Sequence, residues 1–207
     1  MTADMAPPPP PATPADVTPA DVTLGILAGG RASRLGGLDK AWLHRDGRSQ
    51  IESIIAELTP LVGAVLVSAN RNAERYRALA LDVVADAHPD CGPVGGLHAL
   101  AHACATPWLL TVPVDALRLA PAAVRALIAH APAFAEDDDG LQPLFACWPA
   151  HRLTMAAAQA IADGRLPVRG LHAALGMRAV AISGTIGNLN TADDLAAAGV
   201  RPDARRP

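Results

Sequence analysis

Residues 22–40 read Val22-Thr-Leu-Gly-Ile-Leu-Ala-Gly-Gly-Arg-Ala-Ser-Arg-Leu-Gly-Gly-Leu-Asp-Lys40, and they are the most informative segment of this sequence. It starts with an apolar run, Val22–Leu27, which predicts a buried strand. Four glycines and three cations follow this run: Gly29, Gly30, Gly36, Gly37, Arg31, Arg34 and Lys40. Glycines allow backbone N–H groups to curl around an anion, and the cations neutralise its charge. The segment therefore predicts a loop that binds a polyphosphate.

This glycine-rich loop does not fit the better-known phosphate-binding patterns. It lacks the Gly-Lys-Ser or Gly-Lys-Thr ending of a P-loop, and its glycine spacing is not that of a dinucleotide-binding turn. A plain glycine-rich hairpin with solvated arginines would explain Gly29-Gly30. Such a hairpin would not require Asp39-Lys40 at the far end of the loop.

The composition indicates a single globular domain. A chain of 207 residues is long enough to bury a substantial core, which must be aliphatic because aromatic residues make up only 3%. A net charge of −3 argues against nucleic-acid binding. The three cysteines are widely spaced and form no Cys-x-x-Cys pair, so neither a disulfide framework nor a structural zinc site is favoured. We expect a reducing, cytoplasmic location.

Both ends of the chain differ in composition from its middle. Residues 1–21 are rich in Pro and Ala and lack the apolar region of a signal peptide, so we expect a disordered extension. Residues 201–207 predict a flexible tail, and residues 22–200 a single domain. No stretch is long and apolar enough to span a membrane, and no membrane association is predicted.

Apolar runs alternate with amphipathic segments along the chain. The runs predict strands at Val22–Leu27, Ala64–Val67, Asp82–Ala85, Trp108–Val114, Ala133–Ala135, Leu144–Cys147 and Arg178–Ile182. Helices are predicted at Ser49–Leu58, Ala73–Leu79, Val94–Cys104, Pro121–His130, Arg152–Asp163, Val168–Leu175 and Ala192–Ala198. This alternation is typical of a doubly wound, three-layer α/β/α sandwich with a mostly parallel, Rossmann-like sheet. The Trp108–Val114 run has the continuous apolar character of a central strand.

Polar residues follow several of the predicted strands. Ser68 and Asn70 come after the second strand, Asp86 after the third and Asp115 after the Trp108–Val114 run. In doubly wound sheets, ligands bind outside the carboxyl ends of the strands, at the point where the winding direction reverses. We therefore expect these residues and the glycine-rich loop to share one site.

Asp115 is the candidate metal ligand. A carboxylate directly after a buried strand is costly unless it is hydrated, paired or bound to a metal. Magnesium in nucleotide sites takes one or two carboxylates together with phosphate oxygens and water. The alternative is that Asp115 caps the next helix, but Pro121 places the start of that helix too far downstream.

Two further segments are candidate parts of the site. Asn188 and Asn190 lie two residues apart, so in an extended segment their side chains point the same way. One explanation is helix capping, which either Asn190 or Thr191 can perform. The other is that both asparagine side chains reach a substrate or the water shell of the metal. The other segment, Gly92–Leu97, is a side-chain-poor loop before a helix, where backbone groups can contact a nucleobase; a tight turn would need only its first two residues.

Taken together, these motifs resemble the molybdenum cofactor guanylyltransferases. The resemblance rests on residues 27–40, Gly92-Pro-Val-Gly-Gly-Leu97, Pro113-Val-Asp115, Gln142-Pro-Leu-Phe-Ala146 and Asn188-Leu-Asn-Thr-Ala-Asp-Asp-Leu195, and it is collinear from Val22 to Gly199. It implies a nucleotidyltransferase version of the Rossmann-like fold. Members of that family transfer GMP from Mg-GTP to the phosphate of molybdopterin and release pyrophosphate. It also implies molybdenum-insertion and molybdoenzyme-maturation proteins as partners.

The resemblance implies a role for each matching residue. Arg34, Lys40 and Asp115 would be the catalytic set, with Asp115 holding Mg²⁺ and the two cations contacting the triphosphate. Asn188 and Asn190 would lie near the metal and the pterin phosphate. The implied GTP pocket comprises Leu27, Ala28, Gly29, Gly30, Arg34, Lys40, Ser68, Asn70, Asp86, Gly92, Pro93, Gly95, Gly96 and Asp115.

The sequence departs from the family pattern at three places. Ser68 stands where relatives often have Asn, which puts one nucleotide contact in doubt. Residues 116–119, Ala-Leu-Arg-Leu, lack the usual Thr-Pro, and Gly140-Leu141 stand where an Arg often precedes the Gln142 segment. Two alternatives therefore stay open: a cytidylyl- or other nucleotidyltransferase of the same fold, and a non-catalytic protein that binds GTP or the cofactor for delivery. Ala28-Gly29-Gly30 favours GTP, because the cytidylyltransferases tend to have Ala-Ala-Gly there.

Overall fold

This computed structural model describes residues 17–29 and 38–201, in which strands and helices alternate. The strands are β1 Val22–Leu27, β2 His44–Arg45, β3 Arg48–Ser49, β4 Ala64–Ser68, β5 Asp82–Val84, β6 Trp108–Pro113, β7 Ala133–Asp137, β8 Gly140–Pro149 and β9 Arg178–Ala181. The helices are α1 Gln50–Leu58, α2 Ala73–Arg77, α3 Pro93–Ala103, α4 Pro121–Ala129, α5 Ala150–Ala162, α6 Val168–Leu175 and α7 Ala192–Ala197. The predicted elements are confirmed, mostly to within two residues. The small β2–β3 hairpin and the full length of β8 go beyond what the sequence predicts.

Seven of these strands form one sheet, in the order β5-β4-β1-β6-β8-β7-β9. Strand β1 pairs in parallel with β4 and β6, and β4 pairs in parallel with β5. Strand β8 runs antiparallel to both of its neighbours, β6 and β7. The prediction of a mostly parallel sheet is therefore confirmed. Strand β6 occupies its centre, as its apolar run predicts.

Helices cover both faces of the sheet, which gives the predicted three layers. On one face, Ile51 and Ile54 of α1 and Val124 of α4 pack in a cluster with alternate residues of β1. On the other face, Leu97 and Leu100 of α3 form a second cluster with residues of α5, α6 and β8. Strand β1 is buried along its whole length because both of its faces are covered.

A third, small cluster joins two segments that are far apart in the sequence. Leu43 packs with Leu189, Leu195 and Val200, and the backbones of His44 and Arg201 exchange two hydrogen bonds of 2.8 Å. This contact fixes the chain after Lys40 against the segment that contains Asn190.

The predicted domain division at residues 22 and 200 stays a prediction. Pro19–Asp21 form one 3-10 turn just before β1, and Arg201 is the residue that pairs with His44. In the described part of the chain, none of the helices has the length and apolar character needed to cross a bilayer.

Candidate active site

The loops after β1, β4, β5 and β6 meet at the carboxyl edge of the sheet. Backbone hydrogen bonds link them to one another: Ala28 N–H donates to the Ser68 carbonyl (3.0 Å) and Val114 N–H to the Leu27 carbonyl (3.1 Å). The chain winds from β1 outward to β4 and β5, and then returns to β6 on the other side of β1. The reversal of winding therefore lies between β1 and β6, where ligands bind in folds of this type.

Lys40 and Asp115 lie together at this reversal. The Lys40 Nζ donates to Asp115 Oδ2 at 2.7 Å and to Asn190 Oδ1 at 2.8 Å. The side chains of the ion pair are 18% and 22% exposed, so the pair is sheltered but reachable from solvent. A partly buried pair of this kind is less screened than an ion pair on the open surface.

Asp39 and Asn72 hold Lys40 in place. Asp39 caps the 3-10 turn Lys40–Trp42 by accepting a hydrogen bond from Ala41 N–H (3.1 Å). Its second carboxylate oxygen accepts a hydrogen bond from Asn72 Nδ2 (2.7 Å). Asn72 has φ 56°, a left-handed conformation that Asn tolerates better than most residues. This clamp ties Lys40 to the loop after β4, and no sequence motif predicts it.

A capping box presents Asn190 to Lys40. Thr191 is the N-cap of α7, and Asp194 Oδ2 accepts hydrogen bonds from the N–H groups of Asn190 (2.9 Å) and Thr191 (2.7 Å). These hydrogen bonds, that of Asn190 first, hold the pKa of the Asp194 carboxyl below its usual value. Of the two residues predicted to cap, Thr191 does so, which leaves the Asn190 amide available to the site. The Thr-x-x-Asp spacing is the sequence signal for Asp194.

Asp115 is not a helix cap, since α4 begins at Pro121 with Ala120 as its N-cap. Its backbone carbonyl accepts a hydrogen bond from Leu189 N–H (3.0 Å), and Ala116 forms an isolated bridge with Asn188. The segment that carries both asparagines therefore runs directly beside Asp115.

Gly95 and Gly96 allow α3 to pack tightly against the ends of three strands. A Cβ on Gly96 would lie 2.9 Å from Leu27 Cδ2 and 3.1 Å from Ser68 Oγ. A Cβ on Gly95 would meet the Asp86 carboxylate and, at 2.6 Å, the His88 carbonyl. The sequence predicts a nucleotide-binding role for these glycines, and the structure gives each of them a packing requirement as well.

Asp86 is itself held from both sides. Its backbone N–H donates to Asn70 Oδ1 (2.8 Å), and its Oδ1 accepts a hydrogen bond from His88 N–H (2.7 Å). The Asn70 amide thus positions Asp86. Gly92, the N-cap of α3, has φ 56°, a conformation that favours glycine.

We expect Gly95→Ala to destabilise the protein by about 1–3 kcal/mol, because the added methyl group overpacks against a backbone carbonyl that cannot easily move. Urea unfolding measures this loss. Gly170→Ala is the matched control, since a Cβ at this helical position meets no atom within 4 Å. Equal unfolding midpoints for the two variants would contradict a packing requirement at Gly95.

The predicted site residues differ in their exposure. Four of them are buried: Leu27, Ser68, Gly95 and Gly96. Lys40, Asp86, Asp115 and Asn188 are partly exposed; Gly29, Asn70, Gly92, Pro93 and Asn190 are exposed; and Ala28 is partly exposed. Gly30 and Arg34 lie outside the described residues. The ligand-binding roles of all these residues stay predictions.

Two side-chain oxygen atoms next to Lys40 are of the kind that can hold a magnesium ion. The carboxylate of Asp115 and the amide oxygen of Asn190 both lie within 2.8 Å of the same ammonium nitrogen. Two oxygen atoms thus surround the positive charge of the Lys40 ammonium group. Oxygen is also the ligand atom that magnesium prefers. Residues 17–29 and 38–201 contain no group of three or more His, Cys, Asp or Glu side chains arranged to hold a metal ion.

Comparison with known sequences identifies relatives that span most of this chain. Residues 24–180 match the model of the MobA-like NTP transferase domain. The molybdenum cofactor guanylyltransferase of Acidiphilium cryptum is 39% identical over 185 residues, which cover 84% of this chain and 91% of that protein. The enzyme of the same name from Cupriavidus pinatubonensis is 34% identical over 188 residues, covering 84% and 94% of the two chains.

Solved structures with the same fold are more distant in sequence. The molybdopterin-guanine dinucleotide biosynthesis protein A of Archaeoglobus fulgidus superimposes with a TM-score of 0.64 at 20% identity, covering 85% of this chain and 96% of its own. The 2-C-methyl-D-erythritol 4-phosphate cytidylyltransferase of Thermus thermophilus gives 0.63 at 18% identity, covering 84% and 95%. At these identities the likeness shows the fold alone.

Proposed function

This chain belongs to the family of MobA-like NTP transferases and is a nucleotidyltransferase, and we propose that it transfers GMP from GTP to the phosphate of molybdopterin. The products would be the guanine dinucleotide form of the cofactor and pyrophosphate. The observation that carries the proposal is the contact of Lys40 with Asp115 and Asn190 at the reversal of the sheet.

The basic residues of the chain support a special role for Lys40. The chain has 17 of them, of which Lys40 is the only lysine and the remaining 16 are arginines. An ammonium group is a compact point charge, whereas a guanidinium group is a planar fork. A lysine at this single position fits a site in which several oxygen atoms must approach one small cation.

In the proposed reaction, an oxygen of the acceptor phosphate bonds to the α-phosphorus of GTP. The bond between the α-phosphorus and the oxygen that bridges to the β-phosphate breaks, and its electron pair leaves with pyrophosphate. The chain has to align the two phosphates and neutralise the charge that develops on the leaving group. A general base is not needed, because a phosphate monoester is already an anion at neutral pH.

Lys40 and Asp115 have complementary parts in this reaction. Without nucleotide, Lys40 neutralises Asp115. When the triphosphate binds, the ammonium group would turn toward the phosphate oxygens and release the carboxylate for a cation. Bound Mg²⁺ would neutralise further charge on the triphosphate. Asp115 would hold this ion together with the Asn190 amide oxygen, and Asn188 would lie beside the acceptor.

We place the guanosine of GTP on the other half of the site. Asp86, held by Asn70, and the Gly92–Gly96 turn would contact guanine and ribose, and the backbone of residues 27–29 would contact the phosphates. The Gly30 and Arg34 part of the loop would complete the triphosphate contacts. Ala28-Gly29-Gly30 supports GTP over CTP at this site, because the cytidylyltransferases tend to have Ala-Ala-Gly there.

The direct test is pyrophosphate release by the purified chain with molybdopterin, magnesium and each of GTP, CTP, ATP and UTP. We expect release with GTP and at least about tenfold lower kcat/KM with the other nucleotides, since each tenfold requires only about 1.4 kcal/mol of base discrimination. A preference for CTP would assign a cytidylyltransferase instead. Binding of GTP without release would assign a delivery protein.

A cytoplasmic location and contacts with molybdenum-insertion and molybdoenzyme-maturation proteins remain part of this proposal. The division into a 1–21 extension, a 22–200 domain and a 201–207 tail also remains part of the proposal. Removal of residues 1–16 should leave nucleotide transfer unchanged, as these residues precede the strand that begins the site.

A further inference from the structure

A cavity of about 350 Å³, open to solvent, is lined by residues that are close in sequence to Asp115 and Asn188. It is bordered by the loop before α4, the first turn of α4 and the segment that follows β9. Its walls include Arg118, Ala123, Ile182, Ser183, Thr185 and Ile186. The volume lies within the range of cavities that bind small ligands.

The walls of this cavity are fixed by hydrogen bonds. The N–H groups of Ile182 and Arg118 donate to the carbonyls of Glu136 (2.9 Å) and Ile186 (3.0 Å). Ile186 N–H donates to Asp137 Oδ2 at 2.8 Å. The segment after β9 is thus attached both to the end of β7 and to the loop before α4. The cavity is therefore preformed by the fold.

The buried Asp137 side chain holds the segment after β9 in place through its hydrogen bond with Ile186 N–H. Burial opposes ionisation of its carboxyl, but hydrogen bonds from Ile186 N–H, from the Gln142 side chain and from Asp139 N–H outweigh it and lower the pKa. Both carboxylate oxygens of Asp137 are therefore engaged by donors of the protein itself.

The lining of the cavity is apolar on one side and cationic on another. Ala123 and Ile186 are buried, and Ile182 is partly buried. The guanidinium group of Arg118 is exposed, and within the described ranges it has neither an ion pair nor a side-chain hydrogen bond. The hydroxyls of Ser183 and Thr185 are also unpaired there. An unpaired guanidinium has the planar donors that bind phosphate in a bidentate manner.

The cationic part of the cavity lies close to the catalytic pair. Arg118 follows Asp115 by three residues, so their Cα atoms are at most about 11 Å apart. Leu117 N–H donates to the Gly187 carbonyl (3.1 Å), immediately before Asn188. A Cβ on Gly187 would lie 3.9 Å from Arg118 Nη1, so the guanidinium group, and a phosphate bound to it, would lie beside the segment that leads to Asn188.

We propose that this cavity binds the acceptor substrate, a phosphate monoester carried on a flat heterocycle whose face can pack against apolar side chains. Arg118 would hold the phosphate, and Ala123, Ile182 and Ile186 would pack against the ring. Its assignment as the acceptor site rests on the proposed function.

The test compares Arg118→Ala with Arg125→Ala, an exposed arginine of α4 outside the cavity. The probes are hydroxymethylpterin phosphate and the same pterin without phosphate, titrated by calorimetry in the absence of GTP. Wild type and Arg125→Ala should each bind the phosphorylated probe at least about tenfold more tightly than the probe without phosphate. One charge-assisted contact can supply this difference. Arg118→Ala should bind both probes equally.

A second pair of variants tests the apolar wall. Ala123→Leu should weaken binding of both probes because its side chain fills the cavity, whereas Ala122→Leu, on the exposed face of α4, should not. In turnover assays, Arg118→Ala should raise the KM for molybdopterin about tenfold and leave the KM for GTP unchanged.

Equal binding by the Arg118→Ala and Arg125→Ala variants would overturn the assignment of the cavity. Failure of the wild-type protein to release pyrophosphate from GTP would overturn the proposed function, and the titrations would still decide the cavity.

Discussion

Asp115→Asn is expected to lower kcat for pyrophosphate release by at least about 100-fold. Asparagine keeps the shape of the side chain and an oxygen that can accept the hydrogen bond from Lys40. It removes the negative charge that would attract the metal–nucleotide complex. A loss of about 3 kcal/mol of charge stabilisation corresponds to this factor. Steady-state assays over a range of magnesium concentrations measure it, and the variant should need more magnesium for half-maximal rate.

Asp193→Asn is the matched control for this variant. It makes the same change of charge three residues after Asn190, on an exposed side chain of α7. Its kcat should remain within about twofold of wild type, since exposed charges are strongly screened. If the two variants were equally active, a metal-binding role for Asp115 would be wrong.

Lys40→Gln is expected to lower kcat/KM for GTP by about 100-fold or more, and Lys40→Arg by about tenfold or more. Glutamine cannot neutralise the triphosphate. Arginine retains the charge, but a planar guanidinium group cannot replace a point charge held at 2.7 and 2.8 Å by oxygens of Asp115 and Asn190. Rates with limiting and saturating GTP separate the loss of binding from the loss of turnover.

Arg48→Gln provides the control for the loss of a cation near this segment. Arg48 is exposed on the β2–β3 hairpin, eight residues from Lys40, and has no place in the proposed site. It should retain wild-type kcat/KM. Full activity of Lys40→Arg would show that only the charge at this position matters, and that the site does not require a lysine.

The sequence could predict the sheet and the loops that follow its strands because these signals are local. A continuous apolar run such as Trp108–Pro113 has to be buried on both sides, and the residue that ends it has to lie at the rim. The rule for doubly wound sheets then predicts that Asp115 lies beside the residues that follow β1, where Val114 N–H donates to the Leu27 carbonyl. No knowledge of tertiary contacts is needed for these steps.

The contacts that position the site could not be predicted in this way. The bond between Asp39 and Asn72 joins residues 33 apart, and Lys40 and Asn190 are 150 residues apart. Their meeting depends on the packing of Leu43 against Leu189 and on the pairing of His44 with Arg201. These are single apolar residues and a two-residue strand, which have no periodicity to detect.

The glycines of α3 could be predicted only in part. A simple turn would not require Gly95 and Gly96, so the sequence alone indicates a constraint at these positions. The structure shows that Asp86, Leu27 and Ser68 occupy the space where their side chains would be. The atoms that impose the constraint come from other strands, and the local sequence does not identify them.

Acetylation of Lys40 measures most directly whether the lysine and the carboxylate form one nucleotide-binding cleft. Because the chain has a single lysine, mass spectrometry after treatment with an amine-directed reagent reports on that side chain, with the amino terminus as internal reference. Magnesium and GTP at 100 times the dissociation constant should slow acetylation of Lys40 by about 100-fold in wild type, and Asp115→Asn should lose most of this protection at the same GTP concentration. Acetylation of Lys40 at the same rate with and without saturating GTP would contradict a shared cleft.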